Sequence, residues 1–179
     1  MGEQHDDSED LTTCGLSPEL EHQLVSSQNE CVFMWTNKGG EAFGVVMSYL
    51  PKDGTFWLTA AERRARVSAI RRFPRASLCV NSKGSKVPGS RTITYKGSCI
   101  VHTDRETKDW FYPEFARWLR PDDEEAASTF QSFLDSPDRV VIEFRPDYKL
   151  GFDSKILWQR SPVAGRKAGR TLDDLAAPD

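Results

Sequence analysis

Three short apolar segments separated by two glycine-containing turns dominate the first half of the chain. The segments run from Glu30 to Thr36, from Phe43 to Leu50 and from Thr55 to Thr59, and they have the β-branched and aromatic content typical of strands. The intervening turns are residues 37–40 and 51–54, each ending in glycine. Because turns this short connect antiparallel neighbours, the sheet is predicted to begin as an antiparallel meander.

The rest of the pattern is also mainly β. Pro74 ends a short helical segment, and three further strands are predicted over residues 75–81, 91–102 and 139–145. Other helices are predicted over residues 17–27, 106–119 and 122–135. The second is rich in aromatic side chains, which could line the substrate side or pack at a dimer interface; packing is favoured, because aromatic residues at helical spacing are more often core. Six strands with a helix between the third and the fourth predict a small barrel rather than an alternating parallel sheet.

Arginine is concentrated directly after the third strand. Residues 62–91 contain nine Lys and Arg residues against one acid, Glu62, whereas residues 1–30 contain eight acids and no Lys or Arg. Arg63, Arg64 and Arg66 fall at the start of the predicted helix. A helix start presents unpaired N–H groups and the positive end of the helix dipole, and a guanidinium adds a planar fork of donors. The segment is therefore a candidate site for a phosphate or another compact anion.

A helical wheel places Arg63 and Arg66 on the same face as Val67 and Ile70. Charged groups that point toward the protein interior need a partner. Two partners are possible at this stage: a carboxylate at the edge of the core, or a bound phosphate. A nucleic-acid surface is the less favoured interpretation, because it would require these side chains to face solvent.

Other catalytic signatures are missing from the sequence. It contains no Walker loop, no G-x-G-x-x-G and no G-x-S-x-G, and no nucleophile or general base is identified. The four cysteines form no C-x-x-C pair and the three histidines are scattered, so no metal site is expected. This absence favours a reaction in which a bound cofactor supplies the chemistry.

The ends of the chain differ from its centre in composition. Residues 1–12 are acidic and are expected to be disordered, residues 13–160 form the predicted cofactor-binding domain, and residues 161–179 are expected to be a flexible tail. No apolar run reaches membrane-spanning length, and the acidic start is unlike a secretory signal. Free thiols and the absence of a membrane span lead us to expect a cytoplasmic protein.

Several short motifs resemble those of one known family. They are Asp53-Gly54, Phe56–Thr59, the basic helix, Pro74–Val80, Tyr95–Gly97 and Val140–Pro146. In this order they resemble the pyridoxamine 5'-phosphate oxidase-like split-barrel flavoproteins, and most closely the short actinobacterial type that uses FMN or the deazaflavin coenzyme F(420). The resemblance covers residues 30 to about 155. It implies a six-stranded antiparallel split β-barrel of the FMN-binding type, and a homodimer with the cofactor at the subunit interface.

The resemblance also implies a set of cofactor-binding residues. Arg66 matches the position of a phosphate-binding Lys, with Arg63 and Arg64 as possible helpers. The remaining matches contact the flavin ring and its ribityl chain; they are Phe43, Gly44, Val45, Val46, Met47, Ser48, Leu58, Thr59 and Thr92.

The sequence also departs from the family pattern. Ala65 stands where many oxidases have a second phosphate-binding Arg, and the C-terminal motif of true pyridoxamine phosphate oxidases is absent after residue 146. The resemblance therefore implies hydride transfer between FMN or F(420) and a small organic substrate other than vitamin B6. The alternative that keeps the fold is a protein that binds flavin, deazaflavin or haem without turnover.

Overall fold

The computed structural model describes residues 11–161 and Gly169, so both predicted tails lie almost entirely outside the described residues. Within them the chain forms seven strands and five helices. In chain order these are α1 (Pro18–Ser27), β1 (Glu30–Thr36), β2 (Ala42–Ser48), β3 (Leu50–Lys52), β4 (Thr55–Ala61), α2 (Ala65–Arg72), β5 (Arg75–Asn81), β6 (Arg91–His102), α3 (Arg105–Leu119), α4 (Glu124–Leu134), β7 (Arg139–Asp153) and α5 (Ser154–Arg160).

All seven strands belong to one sheet with the order β2-β1-β5-β6-β7-β4-β3. The first hairpin, β1 with β2, is antiparallel as predicted, with Glu30 opposite Ser48 and Thr36 opposite Ala42. Strands β4 and β7 are also antiparallel, with Phe56 opposite Phe144 and Ala61 opposite Arg139. This last pairing joins residues about eighty positions apart and brings the start of β7 beside the end of β4.

The predicted number of six strands is wrong, and Tyr49 is where the difference arises. The apolar segment Phe43–Leu50 was expected to be one strand, but it divides into β2 and β3 on either side of Tyr49. Tyr49 is fully buried, and its N–H donates to the carbonyl of Asn29. Strand β2 pairs with β1, whereas β3 pairs with β4 at the opposite end of the sheet order. An apolar run cannot show such a change of partner, because its periodicity is the same on both sides.

The chain divides into two compact units. The larger unit, Asn29–Val80 with Thr94–Lys149, contains most of the sheet and helices α2, α3 and α4. Its buried residues include Phe33, Leu58 and Leu78 on the sheet, all fully inaccessible to solvent. This unit carries Arg63, Arg64 and Arg66, so the candidate phosphate site can be described within it.

The smaller unit contains the described residues up to Gln28, Asn81–Ile93 and the chain from Leu150 onward. A buried ion pair holds it together: Arg91 Nε donates to Asp153 Oδ2 at 3.0 Å, and Arg91 Nη1 donates to the carbonyl of Pro88 at 2.6 Å. Both side chains are almost completely buried. The pair joins the loop before β6 to the end of β7, which is a structural role.

Helices α3 and α4 cover one apolar cluster of the larger unit. It contains Leu50, Tyr112, Leu134 and Val141 together with two stacked phenylalanines of α3, Phe111 and Phe115, whose ring centroids are 5.0 Å apart. Trp57 and Trp110 pack against this cluster. Their two rings meet edge to face, with centroids 4.7 Å apart. Aromatic side chains of α3 therefore pack inside the larger unit.

Candidate functional site

Strand β4 leads into the candidate site with a regular alternation of buried and half-buried residues. Leu58 points into the core and is fully buried, so that only its backbone can face a ligand. Thr59 points to the opposite face, where its hydroxyl donates to the carbonyl of Val140 on β7 at 2.9 Å. Leu58 and Thr59 were both predicted to contact the cofactor, but their side chains lie on opposite faces of the strand.

A turn of three residues connects β4 to α2, and α2 begins at Ala65 with Arg64 as its N-cap. The N–H of Arg64 donates to the carbonyl of Ala61, but no side chain accepts a hydrogen bond from the first turn of the helix. The first turn also contains no acidic residue. The positive end of this helix is thus not neutralised by its own sequence, unlike that of α3, where the carboxylate of Asp104 accepts from Thr107 N–H at 2.7 Å.

Arg66 is the central side chain of the site. It is half-buried, and its Nε atom is inaccessible to solvent and has no hydrogen-bond partner among the described residues. Burial lowers the pKa of Arg66, and repulsion from the neighbouring guanidinium groups of Arg64 and Arg139 lowers it further. A buried donor without a partner is unfavourable, and a bound anion would remove both penalties.

The nearby acids do not neutralise Arg66. Glu62 forms an ion pair with Arg71 at 2.7 Å, and the described residues contain no carboxylate paired with Arg64 or Arg66. Of the two partners considered from the sequence, the carboxylate at the core edge is therefore absent from the described part of the chain. The orphaned Arg66 Nε fits the alternative, an anion supplied by a ligand.

Arg63 differs from its prediction. It was expected to share the inner face of the helix with Arg66, but it lies in the turn before α2 and is exposed. The predicted third strand ended at Thr59, but β4 continues to Ala61 in its pairing with β7, and the helix begins only at Ala65. A helical wheel places residues correctly only where the helix exists.

The other predicted cofactor residues lie elsewhere in the fold. Phe43–Ser48 belong to β2, the outermost strand at the end of the sheet opposite to β3 and β4, where Met47 is buried and Val46 is exposed. The side chain of Met34 packs closely against Gly44, because a Cβ at Gly44 would lie 3.2 Å from Met34 Cγ. Thr92 is half-buried on β6 and belongs to the smaller compact unit. Thr59, Arg64 and Arg66 lie in one short segment at the end of β4 and the start of α2, whereas Phe43–Ser48 and Thr92 belong to other strands.

Two further residues lie near the end of β4 and were not identified from the sequence. Arg139 begins β7 opposite Ala61, and its guanidinium group lies over the ring of Phe133 at 5.3 Å. Tyr112 of α3 is buried, and its hydroxyl has no hydrogen-bond partner among the described residues. Both residues are far from Arg66 in sequence, so that no local pattern could have indicated them.

A second polar cluster lies on β6 and β7. Glu143 is buried and accepts hydrogen bonds from Arg145 Nε at 2.5 Å and from the imidazole of His102, whose Nε2 is 2.9 Å from Glu143 Oε2. Burial opposes the ionisation of Glu143, but these two partners outweigh it and lower its pKa. His102 also packs against the ring of Trp57, with the centroids 5.5 Å apart. Every polar atom of the Glu143 carboxylate is thus engaged, which is typical of a structural cluster.

The described residues show neither a metal site nor a membrane span. Within residues 11–161, no group of three or more His, Cys, Asp and Glu side chains is arranged to bind a metal ion. Each helix of that region is too short or too polar to cross a lipid bilayer. None of the four cysteines forms a disulfide bond.

Comparison with known proteins identifies the fold. No family model and no curated protein sequence matches the chain. Among solved structures, a conserved hypothetical protein from Mycobacterium tuberculosis superposes with a TM-score of 0.66 at 17% identity, covering 79% of this chain and 88% of that one. A pyridoxamine 5'-phosphate oxidase-like protein from Listeria innocua gives a TM-score of 0.55 at 18% identity, with 74% and 94% covered. An F(420) reductase gives 0.53 at 16% identity, with 71% and 93% covered.

These similarities define a class of fold. The chain has the mainly β, antiparallel fold of the split-barrel proteins, with seven strands and a few helices. At such low identities the likeness concerns the fold alone, and the function has to be argued from the site.

Proposed function

We propose that this protein is an oxidoreductase that binds FMN or the deazaflavin coenzyme F(420) and transfers hydride to or from a small organic substrate. The observation that carries the proposal is the buried Arg66 Nε, which has no partner among the described residues and lies beside an uncapped helix N-terminus. A phosphate group would satisfy both. The similarity in fold to an F(420) reductase and to a pyridoxamine 5'-phosphate oxidase-like protein is consistent with such a cofactor.

The residues that would hold the cofactor fall into two groups. Arg66 and Arg64, with the first N–H groups of α2, would bind the phosphate, and exposed Arg63 could reach it from the turn. The backbone of Leu58, the side chain of Thr59, strand β2 (Phe43–Ser48) and Thr92 are proposed to contact the ring and the ribityl chain. A bound flavin or deazaflavin supplies the hydride-transferring centre. The protein would then bind and orient the cofactor and the substrate and exclude water. These tasks require no nucleophile from the protein.

We further propose a homodimer formed through β2. Phe43 and Val46 are 49% and 65% exposed on this outermost strand, although both are large apolar residues. An exposed apolar edge strand is unfavourable in a monomer and is commonly covered by a second chain. A second copy at this edge would also explain how β2 residues of one subunit and the phosphate site of another could act on one cofactor. We propose a cytoplasmic location, in keeping with four cysteines that form no disulfide bond.

Titration with FMN and with F(420), monitored by absorption and fluorescence, tests the proposal. Micromolar binding of either cofactor, followed by reoxidation or reduction of the bound cofactor with organic acceptors or donors, is the expected result. A protein that binds neither cofactor contradicts the proposal. Binding without any redox turnover would favour the alternative, a cofactor carrier of the same fold.

A further inference from the structure

Helix α4 presents an aromatic groove on one exposed side. Its lining includes Ala126, Thr129, Phe130 and Phe133. Phe133 is 66% exposed, the highest value among the large hydrophobic residues that the structure describes. We propose that this α4 groove binds a second copy of the chain, with the two α4 helices packed antiparallel across a twofold axis.

The two phenylalanines form an ordered apolar surface. The rings of Phe130 and Phe133 stack with their centroids 6.4 Å apart and an angle of 17° between their planes. A guanidinium group lies over each ring at 5.3 Å, that of Arg120 over Phe130 and that of Arg139 over Phe133. Aromatic side chains and arginines are enriched at contacts between proteins, and side chains that are already ordered lose little conformational entropy on binding.

The positive charges beside the rings are unpaired. Among the residues that the structure describes, no carboxylate forms an ion pair with Arg120 or Arg139. Asp135, at the end of α4, is engaged by both terminal nitrogens of Arg105, at 2.7 and 2.8 Å. Arg139 also repels the guanidinium group of Arg66 and helps to lower its pKa. An acid brought to Arg139 from outside would therefore add an ion pair and reduce this repulsion.

The start of α4 carries the complementary charge. Asp123 is the N-cap residue, and its carboxylate accepts from Ala126 N–H at 2.9 Å. Glu124 and Glu125 follow in the first turn, and both are exposed. In the described part of the chain, no Lys or Arg side chain pairs with these three acids. Asp123 and Glu125 line the same groove as the phenylalanines.

A groove with unpaired charges of both signs fits a copy of itself. Antiparallel packing places the start of each α4 beside the end of the other, so that Glu125 of each copy faces Arg139 of the other. Between these two ion pairs, Phe133 would pack against Ala126 of the second copy. The two helix dipoles are then opposed, and the contact closes on itself by symmetry. A nucleic acid or an anionic membrane fits less well, because the acids of the groove would repel it.

This contact is small and is expected to be weak. One side of a short helix with two aromatic rings is less than the surface that a permanent dimer buries. We expect a dissociation constant on the order of 100 μM, so that the contact forms only in concentrated protein. Dimers joined through β2, as proposed above, would then associate into tetramers through α4.

An exchange of charges between two variants tests the contact. It is made in the Val46→Lys background, so that association through β2 does not contribute. In sedimentation velocity this background protein should be monomeric at about 5 μM and largely dimeric at about 300 μM. Glu125→Arg and Arg139→Glu should each abolish the dimer, because the facing charges then have the same sign. An equimolar mixture of the two variants should associate again, since every facing pair then has opposite signs.

Two matched controls separate the contact from general effects of charge and hydrophobicity. Glu106→Arg makes the same change at an exposed acid in the first turn of α3 and should leave the dimer intact. Phe133→Gln should abolish the dimer, because it removes the centre of the apolar surface. Phe73→Gln should not, since Phe73 is 53% exposed but directly follows α2. Circular dichroism of each variant shows whether it is folded.

Three results would overturn the inference. They are a Val46→Lys protein that stays monomeric at about 300 μM, a mixture of the two charge variants that associates no more than each variant alone, and a Glu106→Arg variant that loses the dimer as Glu125→Arg does. None of them decides the dimer through β2, which is tested at low concentration, or the oxidoreductase proposal, which is tested by cofactor titration.

Discussion

A single buried donor organises the candidate site. Arg66 lies at the point where β4 gives way to α2, and the described residues provide no acceptor for its Nε atom. Burial disfavours the charged form of its guanidinium group, and so does repulsion from Arg64 and Arg139. A bound anion would relieve both penalties, and this is the role that the proposed function gives to Arg66.

Replacing Arg66 by Ala should weaken FMN or F(420) binding by about 1.5 to 3 kcal/mol, because a charge-assisted hydrogen bond to the phosphate is lost. The stability of the free protein should change by less than about 1 kcal/mol, since the donor has no partner there to lose. Arg72→Ala serves as the control, because Arg72 is exposed. Calorimetric titration and thermal unfolding measure the two effects; unchanged affinity would place the phosphate elsewhere.

Glu143 provides a pH-dependent prediction. Its pKa in the folded protein lies below the ordinary value of 4.5, so its contribution to stability is complete above that value and is lost as the pH falls through the lower folded pKa. Glu143→Gln should lower the free energy of unfolding by about 1 to 3 kcal/mol at pH 6, since it leaves Arg145 and His102 with a weaker acceptor. The difference between variant and wild type should shrink as the pH falls below 4.5 and Glu143 becomes protonated.

Denaturant unfolding at several pH values checks this prediction. Glu114→Gln is the matched control, because the ion pair of Glu114 with Lys52 at 2.7 Å is more than a third exposed. Glu114→Gln should lower the free energy of unfolding by less than about 1 kcal/mol at any pH. If the difference in unfolding free energy between Glu143→Gln and the wild type does not change with pH, the shape of the side chain and not its charge stabilises the protein at this position.

At the scale of elements, the contact between β6 and β7 depends on the absence of one side chain. A Cβ built at Gly97 would lie 2.1 Å from the carbonyl oxygen of Arg145 and 2.9 Å from Cζ of Phe144. The nearest atom belongs to the backbone of the neighbouring strand and cannot rotate away. Gly97 therefore fixes the distance at which the two strands pack.

Gly97→Ala should destabilise the protein by more than about 3 kcal/mol or prevent folding, because overlap with a backbone atom forces the strands apart. Gly15→Ala is the control, since nothing lies within 4 Å of its added Cβ. It should change the free energy of unfolding by no more than about 0.5 kcal/mol. Soluble yield and denaturant unfolding distinguish the two variants, and equal stabilities would contradict the packing argument.

At the scale of the whole molecule, the exposed apolar face of β2 is the feature that argues for a second subunit. Val46→Lys places a charge in the proposed interface and should give a monomer at concentrations where the wild-type protein is a dimer. Leu150→Lys is the control, because Leu150 is similarly exposed but lies on β7. Sedimentation velocity measures the outcome; a monomeric wild type, or two variants that behave alike, contradicts a dimer through β2.

The sequence by itself determined most of the local structure. The apolar segments and glycine turns predicted the first antiparallel hairpin, and Pro74 correctly ended the basic helix, because alternation and turns are short-range properties. The tertiary structure decided the rest. It divided one apolar run at Tyr49 to give a seventh strand, began α2 only after Arg63, and placed Arg139 beside Arg66. Each of these outcomes depends on which distant strand supplies a hydrogen-bond partner, and that choice is made by the packing of the whole sheet rather than by any local pattern.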